Sequence, residues 1–179
     1  MNHSKNKPIG ILGGSFDPPH KGHVKISKIA LKKLSINRLY WVITKKNPHK
    51  SQPFFQLGDR ISKSKKLIKK NKKIKVLYLD GKVKSSRTIG FINYFIKSKK
   101  QKNLYFIIGS DNLLDFHKWT SWKKIVKMVK LVVFSRKGYD KKSNNSVVVK
   151  YLKMKNIIYI KNKHINISST SLRKSLKRA

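Results

Sequence analysis

The chain has 179 residues, of which 39% are hydrophobic, and this length and apolar fraction fit one domain with one sizeable core. Its 45 lysines and arginines stand against 6 acidic residues, a formal charge of +39, and it contains no cysteine. Disulfides and thiolate metal sites are therefore excluded. Because no apolar run approaches the roughly 18 residues of a membrane span, we predict a cytoplasmic protein with no membrane partner.

The positive charge is nearly all lysine and is spread along the whole chain. Arginine occurs at only a few positions, namely Arg38, Arg60, Arg87, Arg136, Arg173 and Arg178. Basic surface supplies most non-specific nucleic-acid affinity, so a nucleic-acid-binding protein is one alternative. A dedicated groove, however, concentrates basic residues and interleaves aromatic ones. The even spread instead matches AT-rich codon usage, so we interpret the charge as compositional and expect no specific nucleic-acid partner.

Short apolar runs alternate with amphipathic stretches along the chain. The runs that predict buried strands are residues 9–12, 39–43, 74–79, 104–108, 131–134 and 157–160. Helical spacing predicts helices at residues 24–34, 58–70, 88–96, 112–116, 122–129 and 169–176. This alternation predicts an α/β fold, a Rossmann-like doubly wound parallel sheet in a single domain (residues 1–179, core about 8–176). The stretch 138–150, rich in Lys, Ser and Asn, is predicted to be a mobile loop.

The sequence GGSFDPPHKGH, residues 13–23, joins the first predicted strand to the first predicted helix. Glycine-exposed backbone and helix N-terminal N–H groups favour anions, so this turn predicts a phosphate site. Ligands of doubly wound sheets bind at the carboxyl ends of the strands. The sequence Gly109-Ser110-Asp111 follows the fourth predicted strand, and we expect it to line the same crevice.

His20 and His23 lie three residues apart where the first helix begins, so both rings can face one side. No cysteine and no third ligand at metal spacing accompany them, so we predict no zinc site. One interpretation is that the two histidines only cap the turn. The other is phosphate chemistry, since imidazoles can stabilise charge on phosphoryl oxygens during an in-line displacement.

The C-terminal sequence Ser168-Ser169-Thr170-Ser171-Leu172-Arg173 has a second anion-binding pattern. Hydroxyls and unpaired N–H groups at a helix start are available to a phosphate. Arg173 lies about one turn further on, where its guanidinium can bind a phosphate bidentately.

Together these motifs resemble those of the H-x-G-H nucleotidyltransferases, most closely the bacterial nicotinate-nucleotide adenylyltransferases, over about residues 8–176. The resemblance implies adenylyl transfer from ATP, accompanied by Mg²⁺, to nicotinate mononucleotide, releasing pyrophosphate. It implies catalytic roles for His20, His23 and Arg173. It implies ATP and phosphate contacts for Gly13, Gly14, Ser15, Phe16, Lys50, Ser169 and Thr170. It implies that Thr88 receives the nicotinate carboxylate, Asp111 the ribose hydroxyls and Trp119 the pyridine ring, although Trp119 could also be ordinary core.

The chain departs from the family pattern between residues 80 and 89. Lys82 stands where glutamate is common, and Arg87 stands where tyrosine is common. The acceptor contacts therefore leave the choice between nicotinate and nicotinamide open. Alternatives are pantetheine-phosphate adenylyltransferase, whose first motif carries threonine at the position of His20, and a cytidylyltransferase. The oligomeric state is also left open, a homo-oligomer included.

Overall fold

A computed structural model describes residues 7–46, 52–162 and 167–176. Within these ranges, six parallel strands form one sheet in the order β3-β2-β1-β4-β5-β6. The strands are β1 (Ile9–Gly14), β2 (Arg38–Ile43), β3 (Ile74–Tyr78), β4 (Leu104–Gly109), β5 (Lys130–Phe134) and β6 (Ile157–Ile160). The predicted doubly wound parallel sheet is therefore confirmed. That residues 1–179 form one domain stays a prediction, which this single sheet supports.

Helices connect the strands and cover both faces of the sheet. They are α1 (Lys21–Lys33), α2 (Leu57–Ile68), α3 (Asp80–Val83), α4 (Thr88–Asn93), α5 (Ser110–Asp115), α6 (Trp122–Met128), α7 (Asp140–Asn144), α8 (Val147–Leu152) and α9 (Ser169–Leu176). A π-helical turn, Tyr94–Ser98, continues α4, and a 3-10 turn, Phe116–Lys118, continues α5. No helix in the described ranges is both long and apolar enough to span a bilayer.

The prediction of a mobile loop at residues 138–150 is wrong, because α7 and α8 occupy this stretch. Val148 and Val149 are buried in the core, which gives α8 an apolar anchor. Asp140 accepts hydrogen bonds from the Ser135 hydroxyl and the Arg136 N–H, and these bonds tie the start of α7 to the end of β5. The many Lys, Ser and Asn residues of this stretch obscure a short run of valines that is sufficient to dock it.

The sheet separates two hydrophobic cores. One contains Ala30, Trp41 and Ile68, on the face covered by α1 and α2, and the other contains Phe106 and Val148 on the opposite face. Side chains alternate between the faces along each strand, as the pleat requires.

The direction of winding reverses between β1 and β4, which are neighbours although β2 and β3 lie between them in the chain. The loops that leave these two strands diverge to opposite faces. A crevice therefore opens at their carboxyl ends, as in other doubly wound sheets.

Candidate active site

The loop after β1 leads directly into α1, and His20 is the N-cap of that helix. Nδ1 of His20 accepts a hydrogen bond from the Gly22 N–H at 3.1 Å, and the His20 N–H donates to Nδ1 of His23 at 3.2 Å. This reciprocal pair forms a capping box in which imidazoles take the place of the usual hydroxyl and carboxylate. The histidines thus do cap the helix, and the cap fixes the orientation of both rings.

The ring of His20 is buried, and its Nε2 has no hydrogen-bond partner in the described part of the chain. Burial, and secondarily the charge of Arg136, lower the pKa of His20 from 6.5 to about 4. The imidazole is therefore neutral at pH 7. Because Nδ1 accepts from Gly22, the hydrogen-bond network assigns the proton to Nε2. His20 lines the crevice and offers it an N–H donor.

Phe16 lies in the loop between β1 and α1 and has a φ of 48°, in the left-handed region. This conformation costs a non-glycine residue roughly 1–3 kcal/mol. The buried ring offsets that cost, because it stacks on Trp41 with centroids 4.9 Å apart and contacts His23 at 4.8 Å. Phe16 therefore supports the ring of His23 from the side of the core.

Asp17 connects the loop between β1 and α1 to two segments that are distant in the chain. Its buried carboxylate accepts the N–H groups of Phe54 and Phe55, each at 2.8 Å. Arg173 donates to the Asp17 carbonyl oxygen and lies 3.6 Å from its carboxylate. The Ser169 hydroxyl donates to the Pro18 carbonyl at 2.9 Å. The C-terminal helix α9 is thus docked directly on the loop that precedes His20.

At the start of α9, some hydroxyl groups cap the helix and others line the crevice. Ser168 and Ser171 exchange hydrogen bonds of 3.0 and 3.1 Å between side chain and backbone N–H, and so cap the helix. The hydroxyl of Thr170 is instead 3.3 Å from the Arg173 guanidinium. Ser169, Thr170 and Arg173 all line the crevice, together with His20.

Arg60 of α2 was not identified from the sequence as a residue of the site, although its side chain holds together backbone segments that line the site. Its buried guanidinium donates to the carbonyl oxygens of Ser15, Thr44, Lys45 and Phe55 over 2.7–3.1 Å. Burial lowers the pKa of Arg60, and nearby acidic groups oppose that shift. The sequence did contain one indication of this role, which is an arginine in a chain whose basic residues are nearly all lysine. Only arginine has enough donors in a planar fork to bind several carbonyl oxygens.

The opposite wall of the crevice follows β4. Asp111 forms an ion pair with Arg136, with Oδ1 and Nε 3.3 Å apart. The Arg136 N–H donates to the Ser110 hydroxyl at 2.9 Å, which joins the ends of β4 and β5. A Cβ on Gly109 would overlap Oδ1 of Asp111 and come within 3.0 Å of Nε of Arg136. Glycine is therefore required for the ion pair to form this close to the strand.

A small cavity adjoins the crevice and shares Gly13, Gly14 and Trp119 with it. The Trp119 ring packs on Phe116 at 4.8 Å and on Phe106 at 6.2 Å between centroids. Trp119 therefore packs on the core as one interpretation expected, and it also lines both spaces; its stacking on the pyridine ring stays a prediction. The small cavity is lined by Gly13, Gly14, Thr44, Ser86, Arg87, Thr88, Phe91, Phe106, Trp119 and Thr120.

The structure brings nearly all residues of the predicted site together. The crevice is lined by Gly13, Gly14, Ser15, Phe16, His20, His23, Asp111, Trp119, Ser169, Thr170 and Arg173, among others. Thr88 lines the small cavity instead. Lys50 lies outside the described residues. The β1 and β4 loops therefore do line one crevice, as expected from the sequence.

A crevice at the winding reversal of a parallel sheet, lined by histidine and arginine donors, has the architecture of a nucleotidyltransferase. The sequence pattern of the cytidylyltransferase-like family matches residues 11–175. A Plasmodium falciparum nicotinic acid mononucleotide adenylyltransferase complexed with NaAD has the same fold, with a TM-score of 0.74 and 22% identity over 94% of this chain and 83% of that chain.

Sequence similarity narrows the class further. A probable nicotinate-nucleotide adenylyltransferase of Pelagibacter ubique is 49% identical over 97% of this chain and 96% of that protein. One from Endomicrobium trichonymphae is 34% identical over 94% of this chain and 86% of that protein. The chain belongs to the nicotinate-nucleotide adenylyltransferase family.

Proposed function

We propose that this protein transfers the adenylyl group of ATP to nicotinate mononucleotide, giving nicotinate adenine dinucleotide and pyrophosphate in NAD biosynthesis. The observation that carries the proposal is that the His20–His23 cap and α9 line one crevice, which adjoins a partly aromatic cavity at Trp119. One half offers donors for phosphates, and the other offers a flat apolar surface for a ring. A dinucleotide requires both.

The reaction is an in-line displacement at phosphorus. An oxygen of the acceptor phosphate forms a bond to the α-phosphorus of ATP, while the bond to the bridging oxygen breaks and pyrophosphate leaves with its electron pair. No side-chain nucleophile is needed, because the acceptor phosphate is already an anion at neutral pH. The protein supplies orientation and charge stabilisation.

The phosphate half of the crevice holds the triphosphate in this proposal. The Nε2–H of His20 and the ring of His23 donate to phosphoryl oxygens as charge develops on them. Arg173 holds the β- and γ-phosphates with its planar fork, together with the hydroxyls of Ser169 and Thr170. Two of these residues bond to the loop that leads to His20, since Ser169 donates to the Pro18 carbonyl and Arg173 to the Asp17 carbonyl, and Thr170 bonds to Arg173.

The glycine loop lets the backbone approach the bridging phosphates. Gly13 and Gly14 carry no side chain at the mouth of the crevice, and Ser15 and Phe16 continue its wall. Lys50 approaches the phosphates as well in this proposal, by resemblance alone.

The acceptor is held by the other half. Asp111 binds the ribose hydroxyls, Trp119 stacks on the pyridine ring, and Thr88 receives the ring carboxylate. Trp119 supports this assignment because it lines both the crevice and the small cavity. A ring stacked on it would therefore lie where the two spaces meet. The ion pair between Asp111 and Arg136 fixes the aspartate beside the ribose position.

Mg²⁺ accompanies ATP in this proposal and neutralises charge on the leaving pyrophosphate. In the described ranges, no group of three or more His, Asp or Glu side chains could hold a metal ion. In this proposal the ligands of the ion are mainly phosphate oxygens and water, which is usual for Mg²⁺ with nucleotides. We place the reaction in the cytoplasm, where ATP is available.

The test is pyrophosphate release from ATP and Mg²⁺ with one acceptor at a time: nicotinate mononucleotide, nicotinamide mononucleotide or phosphopantetheine. We expect release with nicotinate mononucleotide and formation of the dinucleotide. Release with phosphopantetheine alone would assign the protein to the pantetheine branch. Salt-dependent retention on nucleic acid without any release would favour the nucleic-acid-binding alternative.

A further inference from the structure

The small cavity contains a single charged side chain among the described residues that line it, Arg87. We propose that Arg87 determines acceptor specificity, its guanidinium pairing with the carboxylate on the acceptor ring and so selecting the acid over the amide. This inference rests on the proposed function and adds to it a residue that the family pattern does not supply, because tyrosine is common at this position.

Arg87 has no acidic partner within the described part of the chain. The ion pairs there are Lys118 with Asp115, Arg136 with Asp111 and Arg173 with Asp17. A cation beside aromatic walls with no carboxylate of its own is complementary to an anionic ring substituent. A guanidinium and a carboxylate form two parallel hydrogen bonds, which are stronger than neutral ones.

The backbone around Arg87 is held in place while the side chain stays exposed. The Asp80 carboxylate accepts hydrogen bonds from the Ser86 hydroxyl and from the Lys45 N–H. The Ser85 hydroxyl oxygen accepts the Arg87 N–H at 3.1 Å. These bonds hold the backbone from which the Arg87 side chain extends at the lining of the cavity.

The use of arginine at this position is informative in a chain whose basic residues are nearly all lysine. Among the described arginines, Arg60 holds the floor of the site, Arg136 and Arg173 line the crevice and Arg87 lines the small cavity. Arginine differs from lysine in its planar fork, which matches a carboxylate. Lys82, the other departure from the family pattern, does not line the cavity.

The amide is a poorer ligand for the same group. Its carbonyl oxygen can accept one hydrogen bond from the guanidinium, but its NH₂ group is itself a donor and carries no negative charge. Arg87 therefore favours the acid both by attraction to the carboxylate and by leaving a donor of the amide unpaired.

The experiment measures kcat and KM for nicotinate mononucleotide and nicotinamide mononucleotide in the wild type, Arg87→Gln and Arg87→Lys. We expect Arg87→Gln to lower the acid-to-amide ratio of kcat/KM roughly 10-fold or more, mainly through KM for the acid. The KM for ATP should change less than about 2-fold. Arg87→Lys should restore part of the ratio, because it keeps the charge but not the fork.

Arg38→Gln is the matched control, since Arg38 is also exposed but begins β2 at the far end of the sheet. It should leave the ratio unchanged. An unchanged ratio in Arg87→Gln, with an active wild type, would overturn the assignment of Arg87 alone. A wild type that makes no dinucleotide from nicotinate mononucleotide overturns the proposed function, and the assignment of Arg87 with it. Circular dichroism of each variant confirms that the kinetic comparison is made on folded protein.

Discussion

Two regions of the site are built in different ways. The crevice around His20 and α9, proposed to bind phosphates, is called the phosphate half, and the small cavity beside Trp119, proposed to bind the acceptor ring, is called the acceptor half. Around the phosphate loop, Asp17 and Arg60 are buried and use nearly all of their hydrogen-bonding atoms on backbone groups. The small cavity instead has several packed aromatic rings in its walls, and two of its polar lining residues, Arg87 and Thr88, are exposed and half-buried, respectively. One half is fixed by hydrogen bonds and the other is shaped by packing.

This difference follows from what each half must recognise. A triphosphate requires donors at defined positions, and preorganised donors cost no rearrangement during the reaction. A ring requires a surface and one or two polar groups at its edge. Substitutions in the first half should therefore reduce turnover or stability, whereas substitutions in the second should change the choice and affinity of the acceptor.

The largest effect is expected for His23→Ala. This change removes a donor from the phosphate half, and by analogy with loss of one transition-state donor it should lower kcat at least ~100-fold. The measurement is steady-state pyrophosphate release, with circular dichroism to show that the fold survives. Near-normal turnover in a folded variant would contradict the role of the histidine pair.

Arg60→Lys should reduce stability because an ammonium replaces the fork and leaves buried carbonyl oxygens of the loops unpaired. We expect a loss of about 2–3 kcal/mol in the free energy of unfolding. Urea denaturation measures it. The matched substitution Arg38→Lys, at an exposed residue, should cost less than about 0.5 kcal/mol. Equal losses in the two variants would show that the bonds of Arg60 contribute nothing particular.

Gly109→Ala tests the wall shared by the two halves. The new methyl group overlaps the Asp111 carboxylate, so the ion pair with Arg136 must move. We expect KM for the acceptor to rise roughly 10-fold, since displacements of about 1 Å near a reacting centre are costly. Gly81→Ala, where a Cβ meets nothing within 4 Å, is the control and should behave as wild type. If both variants have the wild-type KM, Asp111 does not position the acceptor.

A pH dependence of stability is expected from His20. Its folded-state pKa of about 4 lies below the ordinary value of 6.5, so the unfolded chain binds more protons between these values. The free energy of unfolding should therefore fall as pH decreases through this window. His20→Asn, which keeps an acceptor for the helix cap, should show a shallower slope in urea denaturation between pH 6.5 and 4.5. Identical slopes would mean that His20 is not held neutral by the fold.

The sheet and the phosphate half could be predicted from the sequence because both depend on local patterns. Apolar runs of strand length predicted all six strands, and the motifs at residues 13–23 and 168–173 predicted residues that line the crevice. Arg60 could not be predicted in its role, since its partners are carbonyl oxygens, which every residue has. The helices over residues 138–150 were missed because two buried valines, Val148 and Val149, anchor them within a polar stretch.

The contact between α9 and the loop before His20 joins residues about 150 positions apart in the chain, such as Ser169 and Pro18. α9 is therefore made after all six strands of the sheet, although it docks on a loop that precedes five of them in the chain. A nascent chain that ends before residue 167 would hold every strand of the sheet but would lack Ser169, Thr170 and Arg173 at the crevice. The groups proposed to bind the triphosphate are thus complete only after the sheet that supports them has been made.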